Sequence, residues 1–218
     1  SSDLLLSRLL RARDAEGAMT EGQLRDEVMT LYLAGQDTTA RALAFTLWLL
    51  ARDPEAQARV RDEVRAQLAD RTPIAEDARR LPWTRACVDE SMRLYPPVWA
   101  LGRETRRAID VAGHRLDAGS TCTIVPWVLH RREDIWDAPL EFRPERFLER
   151  TPSRAYMPFG AGHRICIGRD LALLELVLAV AMLIRRFYLE DATAKPVQAR
   201  AMAILVPDPA PLLRLRHT

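Results

Sequence analysis

Residues 159–168 read FGAGHRICIG and set three of the chain's nine glycines, Gly160, Gly162 and Gly168, around one cysteine, Cys166. The residues that follow, RDLALLELVLAVAMLIRRF, read as one long apolar helix. Glycine permits a left-handed backbone and lets the chain come close to a flat partner. A helix N-terminus just after the cysteine supplies partial positive charge, which favours thiolate over thiol. Backbone N–H groups in such a turn can point at the sulfur, and Arg164 adds positive charge nearby. A thiolate held open in this way is either a nucleophile or a metal ligand. A nucleophile wants a histidine base, and His163 is adjacent in sequence, on the wrong side for a clean pair. Cys87 and Cys122 lack this context and read as small buried hydrophobes.

With 218 residues, 48% hydrophobic and 28% charged, the chain has the composition of a globular protein with ample core. A net charge of +2 leaves no face swamped by one sign and argues against nucleic acid as a partner. Of 32 basic residues only Lys195 is lysine, a skew expected of GC-rich codons and a bacterial source. Three widely spaced cysteines make no disulfide framework, and no signal peptide is visible, so a reducing, cytoplasmic compartment is expected. The longest apolar run, 171–184, is too short for a bilayer and contains Glu175, so it reads as a buried helix. Ser1 is not methionine, so the chain reads as cropped or processed; anything upstream, an anchor included, lies outside the sequence.

No repeat, linker or convincing domain boundary interrupts the pattern. Thr20 with Gln23 three residues later fits a capping box, and helical periodicity then continues to Arg52. That is roughly 30 residues, or about 45 Å of helix. Asp53-Pro54-Glu55 stops one helix and starts another, which runs to about Asp70. A further helix begins near Pro82 and ends before Pro96-Pro97. Residues 109–111, 114–116 and 121–125 carry strand patterns, with Gly113 and Gly119 at turns. Residues 131–158 show no clear period, and a stretch that long without regular structure is usually functional. Residues 201–206 and 212–215 read as closing strands.

A single soft ligand with room beside it suits heme iron, into which a thiolate pushes electron density. FGAGHRICIG resembles the F-x-x-G-x-R-x-C-x-G signature of the heme-thiolate monooxygenases, the cytochrome P-450 superfamily. Three further motifs follow in that family's order and spacing, and the resemblance covers essentially the whole chain. ESMR, with Glu90 and Arg93 on one helix face, resembles E-x-x-R. PERF supplies Arg146, which the resemblance implies joins Glu90 and Arg93 in a buried structural network. AGQDTT, residues 34–39, resembles A-G-x-D/E-T-T. There Ala34 and Gly35 would admit the macrocycle and dioxygen. Thr38 would bond back to the Ala34 carbonyl, and Asp37 would relay protons.

The resemblance implies a mainly α fold with small β-sheets. It implies the carboxyl-terminal part of a single heme domain over residues 1–218, with the amino-terminal half as a missing partner. Cys166 would be the axial ligand of heme b. Phe159, Gly160 and Gly168 would line it, and Arg103 and Arg164 would hold its two carboxylates. Electrons would come from NAD(P)H through a ferredoxin or flavoprotein reductase. Dioxygen would be split and one oxygen inserted into a small apolar substrate. Candidate contacts to that substrate are Leu31, Leu33, Val98, Ala100, Leu101, Met202 and Ala203. His130 reads as structural. With half a domain missing, Leu43, Phe45, Leu47 and Trp48 are expected to have lost part of their cover. Two rival readings are a peroxide-using or isomerising relative, against which the Asp37–Thr38 pair argues, and a truncated, non-catalytic remnant that at most binds heme.

Overall fold

A computed structural model describes residues 5–11, 13–14, 17–69, 71–149 and 154–217. The chain divides into two compact units, Ser1–Thr38 and Thr39–Thr218. In the first, α1 (Leu5–Leu9) precedes a small hairpin of β1 (Arg13–Asp14) and β2 (Gly17–Ala18), then the start of α2 (Glu21–Arg52). The sequence pattern shows neither α1 nor the hairpin, because elements this short carry no readable period. The capping box of α2 is present: Thr20 N–H donates to Gln23 Oε1 at 2.8 Å, and Gln23 N–H donates to Thr20 Oγ1 at 3.3 Å. Met29, Tyr32 and Leu33 are exposed.

The second unit is built on the end of α2, α3 (Pro54–Leu68), α4 (Pro82–Leu94) and the long α7 (Arg169–Arg186). Asp53 caps α3 by accepting the Ala56 N–H at 2.9 Å, with Pro54 at the first helical position. That helix ends at Leu68; Asp70 lies outside the described residues. No residue of its own caps α4. Glu63 of α3 accepts the Trp83 and Thr84 N–H groups at 2.7 and 2.8 Å instead. A carboxylate at a helix N-terminus is favoured by the orphan donors and the dipole together. The apolar stripe of α7, Leu173, Leu176, Val177, Val180, Ala181 and Ile184, packs on Val60, Val64, Val88 and Met92. Burial is confined to that stripe: Leu171 and Met182, expected inside, are exposed.

A second cluster corrects an expectation. Phe45 and Trp48 have not lost their cover; they are 0% and 3% exposed. The Phe45 ring stacks on Tyr95 with centroids 4.3 Å apart, and Trp48 meets the same ring edge-on at 5.8 Å. Leu43 and Leu47 are half-buried against the main core. Among the described residues all the sheets are two-stranded and antiparallel. β3 (Leu101–Glu104) pairs with β6 (Thr121–Ile124), and β4 (Ile109–Val111) with β5 (His114–Leu116). β7 (Phe187–Asp191) pairs with β10 (Leu213–His217), and β8 (Gln198–Ala201) with β9 (Leu205–Asp208). The strand expected over 201–206 is therefore the tip of a hairpin, with a bend at Met202 to Ile204. Apolarity there marks the tip, not a ladder. This mainly helical fold with small sheets matches the expected class.

Two buried polar side chains tie these parts. Gln57 of α3 donates to the Leu50 and Leu189 carbonyls at 2.9 and 3.0 Å and accepts the Leu189 N–H at 2.8 Å, fastening β7 to the helices. His130 follows the short α5 (Pro126–Leu129). Its Nδ1 lies 3.1 Å from the Arg93 carbonyl oxygen, and its Nε2 lies 3.0 Å from the Met157 nitrogen.

Gln57→Leu should lower stability by about 2–4 kcal/mol, since the buried Leu189 and Leu50 backbone groups lose their partner. A denaturant melt reads this directly; a loss below about 1 kcal/mol would show that the clamp is dispensable. Burial, with the Arg93 and Arg131 cations adding to it, holds the His130 side chain down to about 4. The Tyr156 ring and the Ala155 carbonyl also face it. The unfolded chain therefore takes up a proton that the native one refuses. Stability should be complete above about pH 6.5 and fall as the pH drops towards 4, by on the order of 2–3 kcal/mol from this group. The stability gap between parent and His130→Gln should narrow over that window; a gap independent of pH would contradict the assignment.

Candidate functional site

Everything around the cysteine loop hangs on the end of α4. Arg93 is fully buried and all five of its guanidinium N–H groups are used. Nε and Nη2 donate to the two oxygens of Glu90 at 2.7 and 2.8 Å. The remaining donors reach the carbonyls of His130, Pro139 and Glu141 at 2.7, 2.7 and 3.1 Å. Arg146, at the start of α6 (Arg146–Glu149), donates from Nε to Glu90 Oε1 at 3.0 Å, and the Arg143 N–H reaches the same oxygen at 2.9 Å. The structure thus brings Glu90, Arg93 and Arg146 together as expected. It adds what the motifs do not show: the guanidinium orders the irregular 131–158 stretch by collecting two of its carbonyls and that of His130 just before it.

That stretch delivers the chain to the glycine loop through two further ties to the same region. Tyr156 Oη lies 3.0 Å from both Oδ1 and the carbonyl oxygen of Asp89 on α4, and burial pushes both of these titratable groups up. The Met157 N–H donates to His130. Sequence reading missed both ties. Tyr156 and Met157 sit in an aperiodic stretch, and nothing in the residue order reveals a partner 67 or 27 positions away.

The loop itself turns on Gly160 and Gly162, at φ +72° and +71°, where any side chain would be strained. Gly168 does not share that conformation; its φ is −85° and it stands at the N-cap of α7. A Cβ there would lie 3.9 Å from the Cys166 Sγ. The Cys166 N–H donates to the Phe159 carbonyl at 3.0 Å, and the Gly160 N–H to the Met157 carbonyl at 3.0 Å. Among the described residues no N–H group bonds to Sγ, so the expected amide cradle around the sulfur is not formed. The Cys166 side chain is exposed, whereas Cys87 is wholly buried, its thiol pushed up by desolvation, and Cys122 is half-buried on β6.

Around the loop, Leu101 Cδ1 stands 3.7 Å from where a Gly160 Cβ would be, so β3 runs beside it. Arg103, two residues further along β3, is exposed and donates to the Gly102 carbonyl. Arg164 is exposed in the 3₁₀ turn Gly162–Arg164 and makes no ion pair among the described residues. No contact joins the two arginines. Val98, Ala100 and Leu101 are half-buried, and Met202 and Ala203 are exposed at the β8–β9 tip. Two bonds hold those segments side by side: Trp99 Nε1–H donates to the Met202 carbonyl, and the Leu205 N–H to the Pro97 carbonyl, both at 2.8 Å.

In the first unit, Ala34, Gly35, Asp37 and Thr38 lie in unbroken helix. Thr38 Oγ1 donates to the Ala34 carbonyl at 2.6 Å, as the spacing predicts. Thr30 and Thr46 make the same back-bond to Asp26 and Ala42, so the bond alone does not single out Thr38. A Cβ at Gly35 would meet no atom within 4 Å among the described residues. Leu31 is half-buried and Leu33 is exposed.

These residues fit a heme. Among the described residues no group of three or more His, Cys, Asp and Glu side chains converges to hold a bare metal ion. The donor set is one open sulfur, which suits a metal already carried by a macrocycle. Among the described residues no helix is long and apolar enough to cross a membrane.

Residues 2–214 match the family model for cytochrome P450. The chain is 37% identical to cyclooctatin synthase of Streptomyces melanosporofaciens over 214 residues, 94% of this chain and 46% of that protein. It is 37% identical to a putative cytochrome P450 132 of Mycobacterium bovis, over 95% of this chain and 45% of that protein. It is 39% identical to cytochrome P450 4A24 of Sus scrofa, over 88% of this chain and 39% of that protein. The chain thus spans about half the length, or less, of the curated relatives it matches. A single exposed thiol on a left-handed glycine loop, an E-x-x-R pair closed by a second arginine, and this match along nearly the whole sequence converge: the chain belongs to the cytochrome P450 family.

Proposed function

We propose that this chain is the heme-binding, carboxyl-terminal part of a monooxygenase that inserts one oxygen atom of dioxygen into a small apolar substrate. The observation that carries this reading is the exposed Cys166 thiol on the Gly160–Gly162 turn, fixed by its own N–H to the Phe159 carbonyl. Heme b, when bound, supplies the redox metal at which dioxygen is reduced and split with two electrons delivered from NAD(P)H by a ferredoxin or flavoprotein reductase.

The chain's own residues do the rest. Cys166 Sγ would serve as the thiolate ligand, three residues before the start of α7. Gly168 stands beside the sulfur, Phe159 would line the macrocycle, and neither Gly160 nor Gly35 has a side chain that would block it. The exposed guanidinium groups of Arg103 and Arg164 would pair with its two carboxylates. Thr38 has committed its hydroxyl proton to the Ala34 carbonyl, so it presents lone pairs outward and acts as a hydrogen-bond acceptor. There it would accept a hydrogen bond, and Asp37, one residue earlier and exposed, would pass protons between that point and solvent. Leu31 and Leu33 in the first unit, and Val98, Ala100, Leu101, Met202 and Ala203 in the second, would each offer apolar contacts to substrate.

In the heme-loaded protein, Cys166→Ala should abolish the red-shifted Soret band of the reduced carbon monoxide complex, while Cys87→Ala and Cys122→Ala leave it in place. A band that survives in Cys166→Ala would reassign the ligand. Thr38→Ala should bind heme as the parent does but release hydrogen peroxide at the expense of product. The ratio of product to NAD(P)H consumed measures this, and an unchanged ratio would remove Thr38 from proton handling.

A further inference from the structure

One buried, titratable side chain takes no part in that chemistry. His130 is fully buried, between the end of α4 and residues 154–158. The Met157 backbone N–H can only donate, so the His130 Nε2 facing it at 3.0 Å must be the bare, accepting nitrogen. Nδ1 then carries the proton and donates it to the Arg93 carbonyl at 3.1 Å. The reverse tautomer would set an N–H against the Met157 N–H and a bare nitrogen against a carbonyl oxygen. The Ala155 carbonyl could accept a proton from Nε2, but Nδ1 would still face an acceptor. Only one tautomer completes both bonds. The Trp136 and Tyr156 rings close over it at 6.3 and 5.5 Å, so water offers no substitute partner.

We propose that His130 is a positioning residue for Cys166: as the Nδ1–H tautomer it carries the order of the Glu90–Arg93–Arg146 network into the cysteine loop through Met157. The path is a run of bonds. The Arg93 side chain holds the His130 carbonyl, the His130 ring spans from the Arg93 carbonyl to Met157, and the Met157 carbonyl takes the Gly160 N–H. Phe159, one residue before Gly160, then accepts the Cys166 N–H. A loop turning on two left-handed glycines is intrinsically soft, and this run gives its entry a fixed direction. The sulfur's orientation follows from that direction. The inference rests on Cys166 being the metal ligand.

Two variants separate the ring's two ends. The amide of His130→Asn falls near the Nδ1 position and keeps a donor for the Arg93 carbonyl, but it cannot reach Met157. The amide of His130→Gln falls near the Nε2 position and can accept from Met157. Hydrogen exchange at the Met157 amide, measured without heme, should quicken by roughly tenfold or more in His130→Asn and stay near the parent value in His130→Gln. In the heme-loaded proteins the thiolate-type carbon monoxide band should be partly lost in His130→Asn and retained in His130→Gln. Equal exchange in the two variants would overturn the proposal, as would a loosened Met157 with an undiminished thiolate band. If His130→Asn does not fold, nitrogen-15 chemical shifts of the parent histidine decide: a protonated Nδ1 and bare Nε2 support the proposal, and the reverse overturns it. Failure of the ligand assignment looks different, since Cys166→Ala would then keep the band with Met157 exchange unaltered.

Discussion

A guanidinium group carrying no proton donor to spare is the constraint on which the second unit depends. Arg93 lies in the core, where an unpaired charge would cost several kcal/mol, and it is tolerated because Glu90 takes two of its N–H groups and three backbone carbonyls take the others. Those carbonyls belong to a stretch that makes almost no regular ladder of its own. Charge and backbone therefore solve each other's problem: the aperiodic chain satisfies the cation, and the cation replaces the missing secondary structure. Lysine could not substitute, since three rotatable donors on a point charge cannot cover a carboxylate and three separate carbonyls at once.

The sulfur is then placed by a hierarchy of ties that weakens outwards. Near α4 the contacts are charged and wholly buried. At Tyr156 and His130 they are side-chain hydrogen bonds without a second buried cation. At Gly160 and Cys166 they are backbone bonds within the loop, with the thiol open to its surroundings. Rigid support behind and exposure in front is what a ligand needs if it is to meet a large flat partner without waiting for the loop to order itself.

Much of this was readable from residue order. Helix starts at Thr20, Asp53 and Pro82 followed from caps and prolines, because capping is a local interaction between neighbours. The Glu90–Arg93 pair and the Thr38 back-bond followed from helical spacing for the same reason. The link to Arg146 needed a family resemblance, since nothing local joins residues 56 positions apart. Long-range satisfaction of backbone groups left no trace in the pattern. The roles of Gln57, Glu63 and His130 depend on which carbonyl or N–H the fold brings within reach, and any glutamine, glutamate or histidine looks alike in sequence. Exposure is misleading too: Phe45 and Trp48 are covered by Tyr95, at the end of a helix that the pattern shows, but nothing local tells which helix it will meet. The residues around Met202 read as a strand because an apolar tip and an apolar ladder share a composition.

The manner in which that hairpin is moored has a consequence for how such a protein diversifies. Trp99 grips the carbonyl of Met202, not its side chain, and Leu205 offers its backbone N–H to Pro97. The joint is blind to which side chains the tip bears. Drift at Met202 and Ala203 can thus alter what those positions present without unfastening the element that presents them. One scaffold can in this way be inherited intact while the surface it shows at two exposed positions is rewritten.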